Sequence, residues 1–201
     1  MIQATLSRSK YFERKKDTYA SLCFQCLSAY NQGYHHFLWC DVWTMFKDSE
    51  DFEDFSDKWN ECLKFIVDTS PVPDSEEIFF PDYEGSISSI YGEYLSAKEV
   101  YDFFELIDAV QEYQPYLTID LFNSLNDHLG DIQELDFYRD RLIYYGEYDS
   151  NESFAESYFQ DFGYLEGIHS DVLTCIDYGK AWRNLEHDNC FEVKGHYFKQ
   201  C

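Results

Sequence analysis

The stretch Ser96–Tyr113, SAKEVYDFFELIDAVQEY, decides how this chain is read. Val100, Phe103, Phe104, Ile107 and Val110 recur at three- and four-residue spacing, which gathers them into one apolar stripe on a helix. Ser96 followed three residues later by Glu99 forms a capping box, in which each side chain satisfies an amide that a helix start leaves bare. The outer face carries one sign: Glu99, Asp102, Glu105, Asp108 and Glu112 stand against Lys98. Acids at these steps lie roughly 4.5–6 Å apart along the axis, where like charges repel and weaken an isolated helix. A surface shaped for stability would interleave lysines among them. The helix therefore folds on its apolar stripe, and its outer face answers a different requirement.

The whole chain shares this bias. Its 201 residues are 45% hydrophobic and 20% aromatic, enough to bury sizeable cores. Disordered acidic chains lack aromatics, so the acidity here belongs to the surface of something packed. The formal net charge is -24, from 39 acids and 15 bases, well past the magnitude of roughly 2 to 8 that keeps a small domain soluble. Between Phe65 and Tyr138 the only base is Lys98, and from Leu142 to Gly179 there is neither Lys nor Arg. The first twenty residues reverse the sign, with Arg8, Lys10, Arg14, Lys15 and Lys16 against Glu13 and Asp17. They read as a disordered basic leader, with a tail lying on the acidic body as the alternative. No signal-peptide core and no window of about 20 apolar residues is present, so a cytoplasmic protein is expected.

Outward from the central helix the chain punctuates clearly. SLCFQCLSAYNQGYHHFLWCDVW reads as two strands joined at Asn31–Gly33, residues that tolerate a tight hairpin. Phe52, Phe55, Trp59, Leu63 and Ile66 mark a helix over 51–67, ended before Pro71 and Pro73. EEIFFPDYEG reads as an edge strand, since Pro81 cannot donate to a ladder. After the opening helix, 116–129 and 131–141 read as two more helices separated by Gly130. RLIYYGEY reads as a strand, SNESFAESYFQDFG as a capped helix ended by Gly163, IDYGKAWRNL as a short helix, and CFEVKGHYF as a hairpin around Gly195. The expected class is α+β, elongated, with three small domains in series: a leader 1–20, an N-terminal α+β domain 21–95, an acidic helical domain 96–141 and a C-terminal α+β domain 142–201.

Several kinds of chemistry find little footing. Cys23, Cys26, Cys40, Cys62, Cys175, Cys190 and Cys201 form an odd, scattered set that suits reduced thiols. Cys23 and Cys26 make a CxxC, but on a strand positions three apart face opposite ways. His35 and His36, being adjacent on a strand, cannot both enter one site. No calcium loop, HExxH, GxSxG or phosphate-cradling glycine loop occurs. Glu77, Asp82 and Glu84 cluster before a glycine, and a carboxylate-pair hydrolase is the alternative from a different class. No cofactor, metal ligand or catalytic residue is assigned, and no enzyme is expected.

Two bland readings of the acids are a solvated face and adaptation to high salt. The first weakens when one sign persists over some seventy residues, and the second leaves the basic leader unexplained. Electrostatic imitation of nucleic acid accounts for both the sign and its extent. Duplex DNA presents about one negative charge per 1.7 Å of axis, so the 37 acids after the leader (39 less Glu13 and Asp17) match roughly 60 Å of duplex. Such a protein repels DNA and membranes and binds proteins that hold DNA. The candidate contact residues are Asp82, Glu84, Glu93, Glu99, Asp102, Glu105, Asp108, Glu112, Asp120, Asp127, Asp131, Glu134, Asp136, Glu147, Asp149, Glu152 and Glu156.

Five segments in order resemble the antirestriction protein ArdA family: LSAYNQGYHHFLWCDV, EEIFFPDYEG, GEYLSAKEVYDFFELID, YGEYDSNESFAESYFQDFG and CIDYGKAWRNL. The chain departs from the family pattern at Asn184, where Asp is usual, at Cys175, where Tyr is usual, and in its leader. The resemblance implies an elongated three-domain homodimer joined through its C-terminal part, with surface carboxylates imitating the phosphates of bent DNA. It also implies a partner, the methyltransferase core of type I restriction-modification enzymes, from which DNA is displaced in a bacterial host cell. Such proteins are carried by plasmids, phages and conjugative elements. An acidic inhibitor of another DNA-binding defence protein is the alternative reading.

Overall fold

A computed structural model describes residues 10–12, 19–73 and 75–201. Of the leader 1–20, on which the expectation of disorder falls, residues 1–9 and 13–18 lie outside this set. The chain is α+β and divides into two compact units, one of residues 1–112 with 117–123 and the other of 113–116 with 124–201.

The first unit is built on β1 (Ala20–Cys26), every residue of which is buried. β1 pairs antiparallel with a second strand from Ser21 opposite Asp41 to Gln25 opposite Phe37. The expected hairpin pairing is therefore present, but its connection is not a tight turn. Leu27, Ser28 and Ala29 wind into α1 (Leu27–Asn31), because Leu and Ala favour helix once strand pairing ends. Gly33 then turns the chain at φ +80 toward β2 (Phe37–Asp41). The segment after Asp41 is helix rather than strand: in α2 (Val42–Lys47) the Asp41 carboxylate accepts from the Thr44 amide at 2.9 Å and its hydroxyl at 2.7 Å. That cap is specific enough to turn the chain out of the sheet.

α3 (Phe52–Asp68) starts at Asp51, whose side chain accepts from the Asp54 amide. Its stripe of Phe55, Trp59, Cys62 and Ile66 is buried. Phe24 of β1 meets Trp59 at 5.0 Å and Phe80 edge-on at 4.9 Å. The expected third strand is split by Pro81 into β3 (Ile78–Phe79) and β4 (Tyr83–Gly85), both paired with β1. Tyr11 and Phe12 also belong to this core, at 5% and 1% exposure. The Phe12 ring lies 5.1 Å from Phe65, and the Tyr11 carbonyl accepts from the Asp41 amide at 3.0 Å.

α4 (Ala97–Tyr113) buries the five stripe residues Val100, Phe103, Phe104, Ile107 and Val110. Phe104 packs on Trp43 and Phe46 of α2 at 5.1 and 5.4 Å, and Phe103 meets Phe122 of α5 (Ile119–Leu129) at 6.1 Å. Each buried side chain of this kind stabilises by about 1.5–3 kcal/mol. Like-charge neighbours on the outer face oppose this by only about 0.2–0.5 kcal/mol each. Burial wins, so α4 folds despite its charge.

In the second unit the helix expected over 131–141 shrinks to a turn from residue 135 that ends as a π-helical turn, Phe137–Arg141. Side chains draw the preceding backbone away from helix: Asp131 accepts from the Ile132 amide, and the Tyr138 hydroxyl accepts from the Gln133 amide while donating to Asn126. A three-stranded antiparallel sheet follows in the order β5 (Leu142–Glu147), β7 (His196–Gln200), β6 (Cys190–Val193). Lys194 and Gly195, at φ 52 and 80, make the expected turn of its hairpin. α6 (Asn151–Asp161) and α8 (Tyr178–His187) cover it through a core of Phe154, Tyr158, Trp182, Leu185 and Tyr197. Between them lies α7 (Ser170–Leu173), a short helix with no buried residue, which carries too little periodicity to be read.

Candidate partner-binding surface

The capping box at the start of α4 forms as its spacing requires. Glu99 Oε2 accepts from the Ser96 amide at 2.8 Å and its hydroxyl at 2.7 Å, while the Glu99 amide donates to Ser96 Oγ at 3.2 Å. These bonds hold the Glu99 carboxyl below its ordinary value. Down the helix Asp102, Glu105 and Glu112 are exposed, and Asp108 is half-buried. The stripe that docks α4 thus fixes the direction in which its acids project.

Among the described residues two lysines sit on this face. Lys98 pairs with Asp102 one turn along, with its amine 5.5 Å from the Phe52 ring. Lys47, from α2, pairs with Asp108 and lies 4.7 Å from the Trp43 ring and 5.4 Å from that of Phe46. The second contact joins residues 61 apart, which no periodicity shows. Glu105 and Glu112 of the same helix have neither partner.

The other first-unit candidates surround the sheet edge. Asp82 is exposed and accepts from the Tyr83 amide at 2.9 Å; Glu84 is half-buried on β4; Glu93 is exposed. Asp120, exposed in the first turn of α5, accepts from the Ser86 hydroxyl at 2.8 Å. In the second unit Asp127, Asp131, Glu134, Asp136, Glu147, Asp149, Glu152 and Glu156 are all exposed. Asp136 is tied to Arg139 at 2.7 Å, and the same guanidinium holds the Asp140 carboxyl below the usual carboxylate range. No candidate in either unit is buried.

Among the described residues the one buried acid is Asp41, the cap of α2. Glu77 and Asp82 are exposed and Glu84 is half-buried on β4. A cleft of about 500 Å³ in the first unit is walled by Trp59, Leu63, Val67, Ile78, Phe80 and Tyr94. Its acids are Glu76 and Asp68, and Asp68 is held by Lys64 at 2.5 Å. Among the described residues no group of three or more His, Cys, Asp or Glu is placed to hold a metal ion, and no helix is long and apolar enough to cross a membrane.

Several of the other reactive side chains have structural places. His36 Nε2 lies 2.9 Å from the Ile66 carbonyl and 3.3 Å from Thr69 Oγ1, closing the C-terminal end of α3, while His35 is exposed. All seven thiols are free. Cys40 and Cys62 touch at 3.8 Å in the first core, where burial pushes the Cys40 thiol up; Cys23 is likewise pushed up to about 11. Raised thiol values make poor nucleophiles at neutral pH.

Comparison with known proteins adds one match. The family model described as antirestriction protein (ArdA) matches residues 22–199. No curated protein sequence matches the chain.

Proposed function

We propose, from the premise that the chain belongs to the ArdA family of antirestriction proteins, that its exposed carboxylates stand in for DNA phosphates. The family is one of inhibitors that act on restriction-modification. On this reading the target is the methyltransferase core of a type I enzyme, whose Lys- and Arg-rich DNA groove takes up the acidic protein in place of duplex. The protein works in the bacterial cytoplasm and performs no chemistry of its own.

The observation that carries this is the α4 face. Five acids leave one helix whose opposite side is locked by aromatic packing. A rigid, predominantly acidic array presents its charge without reorganising, as a duplex does. The self-association expected from the resemblance has an independent support in the second unit. Phe162, Tyr164, Ile168 and Val172 are 54%, 60%, 36% and 54% exposed within eleven residues of chain, a concentration of bare apolar surface that a second copy would cover.

Displacement is the direct test. Labelled duplex bound to a type I methyltransferase is released on adding the purified protein, and release weakens as salt is raised. Persistence of bound duplex at saturating protein would overturn the proposal. Release from other DNA-binding defence proteins but not from this enzyme would move it to the alternative target.

A further inference from the structure

We propose that Lys47 is a resident counter-cation of the α4 face: it holds Asp108 in the free protein, and a partner's cation has to displace it. The inference rests on the reading of this face as phosphate imitation, and it assigns Lys47 the role of setting how tightly the face is bound. Three features of its place support it. The ion pair crosses between elements, from α2 to α4. The amine is seated over Trp43 and Phe46, the same rings that receive Phe104 and so dock α4. Both partners remain accessible, at 44% and 39% side-chain exposure, so an incoming guanidinium can reach Asp108.

The physical consequence follows from what a mobile ion can do and a tethered one cannot. Cations condensed on DNA leave for bulk solution when a protein binds, and that release drives association and makes it salt-dependent. Lys47 stays attached when displaced, so exchange at Asp108 gains no ion-release entropy and gives up both the ion pair and the ring contact. Among the described residues Glu105 and Glu112 carry no such tether, and they behave as phosphates do. Lys98 differs in kind, since it pairs within its own helix at i, i+4 and moves with the face.

The test uses two probes on the full-length protein: octalysine, a short cation-rich ligand, and a type I methyltransferase holding labelled duplex. Lys47→Gln should bind octalysine about three- to tenfold more tightly at low salt, the range that loss of an exposed ion pair and a cation–π contact allows. Its affinity should also fall more steeply with salt, and it should displace duplex at a correspondingly lower concentration. Lys47→Met, which keeps the side-chain packing on Trp43, should do the same, and Lys47→Arg should match the parent. Unchanged or weaker octalysine binding by folded Lys47→Met would overturn the inference. A gain toward octalysine with no gain in duplex release would leave the counter-cation in place and overturn the phosphate-imitation reading.

Discussion

Ser96 and Glu99 show how far single residues determine the surface. The capping box satisfies two amide donors, and replacing such a cap by Ala removes about 1 kcal/mol of stability. Glu99 is ionised when it makes these bonds, and its folded value is depressed from the ordinary 4.5. A depressed carboxyl contributes stability that is complete above the unfolded value and is lost as pH falls through the folded one. Ser96→Ala should therefore be less stable than the parent at neutral pH, with the difference shrinking as pH drops below about 4.5. Denaturant titrations across that range would show it, and a difference independent of pH would argue that the hydroxyl alone matters. The cap was legible because its partners are three residues apart. The Lys47–Asp108 pair was not, because two separate helices bring its partners together.

At the scale of elements, the broken edge strand teaches the most. Pro81 signalled an edge correctly in one respect, since the segment pairs only with β1; the interruption itself needed the register to become visible. Gly85 closes β4 at φ +80, and a Cβ there would stand 2.1 Å from the Tyr19 carbonyl oxygen. Gly33 has the same φ but open space around it. Gly33→Ala should then cost only the left-handed backbone penalty, about 1–2 kcal/mol. Gly85→Ala adds a clash with rigid backbone and should lose clearly more or fail to fold. Equal losses in thermal unfolding would show that the Tyr19–Gly85 approach is soft. Of the helices, those with a cap and a five-membered stripe were readable. α1, α2 and α7, at 4 to 6 residues, were not, since so short a run samples less than two turns of the period. The acids of the candidate surface were legible as a set because their sign needs no geometry.

Over the whole molecule, a net charge of -24 pushes stability and binding in opposite directions. Self-repulsion destabilises the compact chain, so added salt should raise the melting temperature by screening it. The same screening should weaken attachment to a basic groove. A melting series and a duplex-release series over one range of sodium chloride should therefore run against each other. The folded state should persist in dilute buffer; unfolding there would instead favour adaptation to high salt. Division into two units was not readable from composition, because the aromatic contacts that gather α4 onto α2 link residues some sixty positions apart, as Trp43 and Phe104 do.

The packing of Tyr11 and Phe12 sets a limit on treating this protein as an interchangeable module. The matched family span starts at residue 22, yet Phe12 covers Phe65 and Tyr11 satisfies the amide that ends β2. A boundary chosen by homology would cut through a core, baring an aromatic ring and orphaning a buried donor in the unit that presents α4. Transplanting the folded unit into another protein, or fusing it behind one, succeeds only if these upstream residues travel with it.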